Sequence, residues 1–580
     1  MRYRLRRFGT AMLCALALGA GGGAAAQARV AVELEAPGEV RELLERHLRL
    51  LARDTPLPEL AADRSALARR TRREVADLLA TEGYFSPTVK LERAAAAWRL
   101  VVEPGARARI GEVAIAFEGE LADDPAAAAR IARLRANWAL PVGEPFRQAL
   151  WDGAKQRLLD EVGAVRYAAA RIAHSRAEVD PDAATVRLTL TVDSGPAFYL
   201  GALQVSGLHD LPPDLVARHS TLEAGAPYDR DVLLAFQSAL QNAPQFASVI
   251  VDIDRDPALA AAAPVRVQIA EARPRHLGFG AGYSSNTGYR VEAGYRDVNL
   301  WARGWELSTG LRLEQRRQSA YADVFLPPVE ARRRDSVGAL AERSDLEGLK
   351  ITTQALAVAR HITRGDIETR LTLRVQREAL QPDGAESSSA DTLTANWAWV
   401  QRAVDNVLDP RRGYVLEFQV GGGASVALAE QDFVRFYARY QHYFPVRESD
   451  ALIVRMEGGA TLAERRDGIP QDFLFRAGGT QSVRGYAYQS LGVKEGDATV
   501  GGRYLLAGSA EYVRWFRPDW GAAVFVDSGD AADSRAEFRA RTGYGVGARW
   551  RSPAGPLAVD VAWGQDERRL RLHFGVAIAF

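Results

Sequence analysis

The amino-acid sequence predicts a transmembrane antiparallel β-barrel of about 16 strands, preceded by three small α/β domains. Two observations support this fold class: an internal repeat of mixed α/β units in residues 29–275, and short runs of alternating apolar residues in residues 276–580. Alternation with a period of two suits strands that have lipid on one face and a water-filled lumen on the other. An even number of strands also returns both barrel ends to the side of the membrane that holds the α/β domains.

The N-terminus has the pattern of a secretory signal peptide spanning residues 1–28. Arginines within the first seven residues precede an Ala/Leu/Gly-rich run that closes at Ala28, an arrangement typical of a cleavable leader. The single cysteine of the sequence, Cys14, lies inside this segment. The mature chain is therefore expected to contain no disulfide and no metal site built on cysteine.

The composition narrows the classes of function. The net charge is +1 and 25% of the residues are charged, which argues against nucleic acid as the main partner and against gross disorder. Beyond the leader, no apolar run reaches the ~18 residues that a spanning helix needs. These observations argue against a helical membrane protein, whereas they are compatible with a barrel, because every second residue of a barrel strand faces water.

Two pairs of matching segments carry the internal repeat. Val102–Gly105 and Val192–Gly195 each lead through a turn into an apolar strand, and Gly143–Phe146 and Gly225–Tyr228 each precede an amphipathic helical stretch. A third, more degenerate copy precedes them, and three unrelated α+β domains are the alternative interpretation. The predicted boundaries are residues 1–28 for the signal peptide, 29–104, 105–194 and 195–275 for the α/β domains, and 276–580 for the barrel.

Five short motifs occur in a characteristic order in the second half. Ser482–Tyr486 places an arginine among apolar and glycine residues. A segment that faces lipid would not be expected to carry this charge. The other four are Asn299–Gly304, Asp409–Gly413, Phe525–Gly529 and Gly545–Arg549. Together these motifs resemble those of the Omp85 superfamily of outer-membrane assembly factors, in which periplasmic POTRA domains precede the barrel.

The resemblance implies a location, a function and partners. A chain with three POTRA domains is most similar to the TamA family, whose members form the barrel subunit of the translocation and assembly module. The expected location is the bacterial outer membrane, with the POTRA domains in the periplasm. The expected partners are unfolded outer-membrane client proteins, outer-membrane lipid and a TamB-like periplasmic protein anchored in the inner membrane; no nucleic acid, cofactor, metal or catalytic residue is expected.

The resemblance also implies a functional loop in the lumen. Its motif corresponds to Val483, Arg484, Gly485 and Tyr486, and the family pairs this arginine with an acidic residue of the barrel wall, here Asp527. The pairing is physically reasonable, because a charge shielded from bulk water needs an opposite partner and arginine offers a bidentate fork. A solvated arginine in a flexible external loop is the alternative.

The first and last barrel strands are expected to meet at a seam. The first strand carries Gly278, Gly280 and Gly282 on one face, and glycine weakens a strand and loosens its register. The resemblance makes the end of the chain a β-signal, and we expect cysteines placed at Gly280 and Ile578 to crosslink. The β-signal and seam residues of the last strand are His573, Gly575, Ile578 and Phe580.

The function implied by the family is to insert or translocate β-barrel and autotransporter-type clients through this seam, without nucleotide hydrolysis. A two-partner secretion exporter and a passive outer-membrane channel are the alternatives. An enzyme is not expected, since the sequence contains no Gly-x-Ser-x-Gly, His-Glu-x-x-His or phosphate-loop motif and its eight histidines are scattered.

Overall fold

The computed structural model describes most of the chain after the predicted leader. The described residues are 31–51, 61–93, 97–329, 332–407, 409–447, 449–552 and 555–579. The predicted signal peptide with Cys14, and the terminal Phe580, lie outside them. The chain divides into two compact units, one reaching Phe198 and including Arg255–Ala260, the other formed by Tyr199–Asp254 and Ala261–Phe580.

The first of these compact units contains two small α/β folds with the same plan. In each, three strands form a sheet with the last strand in the centre, parallel to the first and antiparallel to the second. The elements of the first fold are β1 (Ala31–Glu35), α1 (Gly38–His47), α2 (Ala61–Thr81), β2 (Thr88–Arg93) and β3 (Ala97–Glu103). Those of the second are β4 (Arg109–Glu118), α3 (Glu120–Asp123), α4 (Ala128–Ala136), α5 (Gln148–Ala164), β5 (Arg171–Asp180) and β6 (Thr185–Asp193).

A third α/β fold of the same plan opens the second compact unit. It consists of β7 (Leu200–Ser206), α6 (Leu215–Arg218), α7 (Arg230–Gln241), β8 (Phe246–Ile253) and β9 (Ala263–Glu271). The helix α7 begins at the side chain of Asp229, which accepts from the amides of Asp231 and Val232 and so satisfies two of the free N–H groups of the first turn. Its buried face is apolar, with Leu233, Phe236 and Leu240. The three-domain repeat is thus confirmed. None of the helices in the described residues is long and apolar enough to span a bilayer.

Sixteen strands then form a closed antiparallel barrel. Its strands are β10 (Arg275–Ser284), β11 (Gly288–Leu300), β12 (Trp305–Glu314), β13 (Arg317–Phe325), β14 (Arg333–Leu346), β15 (Leu349–Arg364), β16 (Ile367–Pro382), β17 (Ser388–Val404), β18 (Gly413–Gly423), β19 (Phe433–Pro445), β20 (Asp450–Ala463), β23 (Tyr504–Trp515), β24 (Trp520–Ala532), β25 (Arg541–Ser552), β26 (Gly555–Gly564) and β27 (Arg569–Ala579). Between β20 and β23 lies a long loop that contains the hairpin of β21 (Val493–Glu495) and β22 (Ala498–Val500). The predicted fold class is confirmed.

The two faces of the barrel wall follow the predicted alternation. On β16 the outward side chains Leu371, Leu373 and Val375 are exposed, whereas Gln376 and Glu378 on the inward face are buried. Because β10 begins directly after the third α/β fold, that end of the wall is the periplasmic end. The turn at residues 285–287 therefore lies at the extracellular end.

The third α/β fold contacts the barrel through the turn between β11 and β12. The side-chain amide of Gln245 donates to the carbonyl of Gly304 at 2.9 Å, and the side-chain amide of Asn299 donates to the carbonyl of Asp210 at 3.0 Å. A Cβ added to Gly304, whose φ is +65°, would lie 3.2 Å from a methyl group of Leu215. The Asn299–Gly304 motif thus serves here to join the barrel to the preceding domain.

His219 of the third α/β fold has an unusual environment. Its Nε2 atom is buried without a hydrogen-bond partner in the described part of the chain, and its ring lies edge-on to Phe246 at 6.3 Å. Burial, with a smaller contribution from the positive charge of Arg334, lowers the pKa of His219 to about 4. The folded domain therefore disfavours the imidazolium form.

This depressed pKa predicts acid sensitivity of the third domain. The contribution of His219 to the free energy of unfolding is fully present above the usual histidine pKa of about 6.5. As the pH falls from there toward 4, the unfolded state binds a proton that the folded state does not, and the domain loses at most about 3 kcal/mol of stability. Hydrogen exchange of the α7 amides, measured on the full chain in lipid, should show protection falling faster in the parent than in His219→Gln between pH 7 and pH 4.5. Parallel loss in both proteins would contradict the prediction.

Candidate functional site: the lumen loop and the strand seam

The loop of residues 464–503, called the lumen loop below, folds against the inner face of the barrel wall. Its buried side chains Phe475, Val483 and Tyr486 pack on Leu505 and Ala507 of β23. The backbone is tied down as well, since Phe475 and Gly502 exchange two hydrogen bonds of 2.8 Å. The loop is therefore a packed part of the barrel interior.

Arg484 of the lumen loop binds Asp527 of β24 through a bidentate fork. Its Nε donates to Asp527 Oδ2 at 2.7 Å, its Nη2 donates to Oδ1 at 2.9 Å, and its backbone N–H adds a bond of 3.0 Å to Oδ2. Arg484 is 5% exposed and Asp527 is fully buried. Charge-assisted, bidentate bonds of this kind are the strongest hydrogen bonds between side chains.

Two further carboxylates surround the same guanidinium. Nη1 of Arg484 donates to Glu511 at 2.6 Å and to Asp560 at 3.1 Å, and the guanidinium lies 3.4 Å from the ring centre of Phe525. Arg549 donates to both of these acids in turn, at 2.7 and 2.5 Å. Two arginines thus bind three carboxylates, one each from β23, β24 and β26, in a closed network.

Sequence reasoning named Asp527 as a partner but missed Glu511, Asp560 and Arg549. All three lie at lumen-facing positions of strands in which apolar and polar residues alternate. This alternation was the only signal in the sequence that could have identified them. A charge inside a barrel is common, however, and the pattern alone cannot tell which charges meet. No group of three or more His, Cys, Asp or Glu residues that could hold a metal ion is found within the described ranges.

Glycines allow the lumen loop to approach the wall closely. Gly485 has a φ of +95°, and a Cβ there would lie 2.8 Å from the backbone nitrogen of Gly564. A Cβ on Gly543 of β25 would lie 1.8 Å from the carbonyl oxygen of Arg484. Tyr486 then fixes the end of the motif, because its hydroxyl donates to Asp566 at 2.8 Å.

The seam is formed by β10 and β27. Their described pairing extends from Gly280 opposite Ala579 to Ser284 opposite Gly575, with Gly282 opposite Ala577. Ile578 lies opposite Ala281, so the expected partnership of Gly280 with Ile578 was wrong by one residue, because loose glycine strands do not reveal their register in sequence. Phe580 lies outside the described residues.

The two ends of β10 differ in their pairing. Residues Arg275–Phe279, including Gly278, pair with β11, and the described part of β27 does not reach them. On this stretch Leu277 is 65% exposed and Phe279 is 56% exposed, on the lipid-facing side. The periplasmic half of β10 therefore presents backbone groups and apolar side chains together.

His573 links the last strand to the lumen loop. It is buried on β27, and its Nε2 accepts a hydrogen bond of 2.9 Å from the backbone N–H of Gly485. This contact was not foreseen from the sequence, in which His573 stood out only as part of the β-signal. An imidazole nitrogen that accepts in this way carries no proton.

Replacing Arg484 by alanine should detach the lumen loop. The change leaves the buried carboxylate of Asp527 without its cationic partner, which typically costs about 3–5 kcal/mol. The control is Arg503→Ala, which removes a fork to Asp533 in a more exposed position and should cost about 1 kcal/mol or less. Urea midpoints of heat-modifiable migration in lipid report both effects. A parent-like midpoint for Arg484→Ala would contradict the role assigned to the network.

Gly543→Ala should displace the loop without removing any charge. The new Cβ would overlap the carbonyl of Arg484, which belongs to the backbone and cannot rotate away. Gly508→Ala is the matched control, because the nearest atom to its new Cβ is 3.8 Å away. Limited proteolysis of the lumen loop should be faster in the first variant and unchanged in the second. Equal proteolysis rates would refute the close contact.

Comparisons with known proteins agree with this architecture. A family model, the Omp85 superfamily domain, matches residues 273–580. The outer membrane protein assembly factor BamA of Nitratidesulfovibrio vulgaris is 23% identical over 507 residues, which is 83% of this chain and 63% of the relative. Outer envelope protein 80, chloroplastic, of Arabidopsis thaliana is 34% identical over 115 residues, 18% of this chain and 14% of the relative. The chain thus spans less than two thirds of the length of these relatives.

A solved structure shares the fold. The crystal structure of BamA from Haemophilus ducreyi lacking POTRA domains 1–3 superposes with a TM-score of 0.68 at 16% identity, covering 81% of this chain and all of that one. The location that follows is the bacterial outer membrane, with the three α/β folds as periplasmic POTRA domains. The family model covers more than half of the chain and ends on the barrel that carries the lumen loop, and the chain therefore belongs to the Omp85 superfamily.

Proposed function

We propose that this protein inserts or translocates β-barrel and autotransporter-type clients through the seam between β10 and β27, without nucleotide hydrolysis. The observation that carries the proposal is the short seam: β10 forms ten residue pairs with β11 but only five with the described part of β27. A strand edge with unpaired N–H and C=O groups is a template for another strand. The named role of the BamA relative as an assembly factor supports the same function.

The chemistry of the edge suits an incoming strand. Backbone groups of Arg275–Phe279 can pair with a client strand, while Leu277 and Phe279 extend the lipid-facing apolar surface. Pairing of this kind takes affinity from main-chain hydrogen bonds and specificity from alternate side chains. Burial of the apolar face of the client in lipid supplies the driving force.

The packed lumen favours an assembly factor over a passive channel. The lumen loop occupies the interior and is held by the network around Arg484. A steady water-filled pore would need this loop to leave. Conductance in planar bilayers tests this point: small, irregular events support the proposal, and a large steady pore contradicts it.

The POTRA domains are proposed as docking platforms, with boundaries at residues 29–104, 105–194 and 195–275. Each sheet has its second strand, β2, β5 or β8, at an edge, and Ile250 of β8 is an exposed apolar side chain. We propose a TamA-like role in which such an edge binds a TamB-like periplasmic protein by strand addition. Lys substitution of Ile250 should weaken copurification of that partner, whereas the same change at Val142 of the second domain is the control.

Tethering the seam should stop client assembly. Gly280→Cys with Ala579→Cys places two thiols at opposite positions of the first seam pair, and a disulfide there prevents the strands from separating. The control is Val337→Cys with Val358→Cys, an opposite pair on β14 and β15. The measurement is heat-modifiable folding of a labelled client into proteoliposomes, before and after reduction. Undiminished folding by the oxidised seam variant would refute the proposed route.

A further inference from the structure

The extracellular end of the seam is better connected than its pairing suggests. Beyond the last residue pair, Ser285 N–H donates to the carbonyl of Phe574 at 2.9 Å, and Phe574 N–H donates to the hydroxyl of Ser285 at 3.1 Å. The ring of Tyr283 stacks on that of Phe574 at 5.2 Å. The contacts that close the seam are therefore concentrated at its extracellular end.

The lumen loop reaches the first strand at this end. Asn286 lies in the turn between β10 and β11, and its side-chain amide donates to the hydroxyl of Thr480 at 3.1 Å. The same asparagine is oriented by its own backbone N–H, which donates to the hydroxyl of Ser284 at 3.2 Å. One side of the seam is thus bonded to the lumen loop through side chains.

Five residues further along, the same loop reaches the last strand. The N–H of Gly485 donates to Nε2 of His573 at 2.9 Å, and its neighbour Arg484 binds Asp560, which is paired with His573 across β26 and β27. Neither contact can shift easily, because His573 is 4% exposed and the network around Arg484 is buried.

The segment between the two contacts is rigid. The hydroxyl of Ser482 accepts from Gly478 N–H at 2.8 Å, and its carbonyl accepts from Arg455 of β20 at 2.7 Å. Val483 is fully buried, and Gly479 N–H lies 3.2 Å from the carbonyl of Val483. A short segment fixed at this many points keeps its two ends, and therefore the two seam strands that they contact, at a constant distance from each other.

Both seam strands and the loop meet around one cavity. Ser284, Thr480, Arg484, His573 and Phe574 all line a cavity of about 420 Å³ behind the extracellular end of the seam. The loop is therefore placed across the seam on its lumen side. The periplasmic half of β10 has no such support from β27 in the described residues.

We propose that residues Thr480–Gly485 of the lumen loop clamp the extracellular end of the seam, so that the seam opens from its periplasmic end. Asn286 and His573 are positioning residues: they hold β10 and β27, respectively, to the same rigid segment. The clamp rests on the proposed function, in which the seam is the route of the client. It adds a direction of opening, with a client strand entering beside Arg275–Phe279 while the far end stays closed.

Hydrogen exchange on the full chain in lipid nanodiscs tests the clamp. In the parent, the amide of Ser285 should exchange more slowly than the seam amides near Gly280. Thr480→Val and His573→Phe each remove one side of the clamp, and each should speed exchange at Ser285 by about fivefold, the effect of one neutral hydrogen bond. His573→Gln retains an acceptor and should restore most of the protection. Lys494→Ala removes a contact inside the loop hairpin, to Thr499, and should leave Ser285 unchanged.

The outcomes separate the clamp from the proposed function. Unchanged exchange at Ser285 in both clamp variants, with parent-like heat-modifiable migration, overturns the clamp. Parent exchange that is faster at Ser285 than near Gly280 also overturns it. A disulfide at the extracellular pair, Ser284→Cys with Gly575→Cys, should leave client folding unchanged. The disulfide between Gly280→Cys and Ala579→Cys, nearer the periplasmic end, should stop it. If neither tether affects folding, the proposed route fails, while the exchange data still decide whether the loop clamps the seam.

Discussion

The guanidinium of Arg484 holds the lumen loop in place by binding Asp527, a carboxylate that the barrel wall would otherwise bury without a cationic hydrogen-bond partner. A buried acid is expensive unless it is hydrogen-bonded and paired. Asp527 therefore makes the loop a structural requirement of the wall, and the wall in turn determines where the loop must lie. The arrangement favours one loop conformation strongly, because the alternatives separate Arg484 from Asp527 and leave that buried carboxylate without its cationic partner.

The rigidity of this network contrasts with the weakness of the seam. Fourteen residue pairs join β14 to β15, whereas five join β10 to the described part of β27. Glycines at Gly278, Gly280 and Gly282 remove side-chain packing from the lumen face of β10 and lower the cost of separating it. Among the described ladders of the wall the seam has the fewest residue pairs, and the next shortest, between β26 and β27, has six.

The lumen loop connects these two properties. It binds the wall through Arg484 and touches the seam strands through Thr480 and Gly485. The charge network that fixes the loop therefore also holds its two contacts with the seam strands in place. The junction with the third POTRA domain lies at the opposite end of the wall, where Gln245 binds the carbonyl of Gly304.

Some features of this protein follow from sequence alone. Period-two alternation gives the barrel, because lipid and water select residues on opposite faces, and the repeated turn and helix signals give three POTRA domains of one plan. The sequence analysis did not identify β5, because most of its side chains are exposed and it lacks a clear apolar pattern. The loop motif identified Arg484 and, through family resemblance, Asp527.

The tertiary structure alone decided that Glu511, Asp560 and Arg549 complete the network, that Ala579 faces Gly280, and that His573 accepts from Gly485. These contacts join residues far apart in the chain, and their geometry depends on barrel register and loop path, which local patterns do not encode.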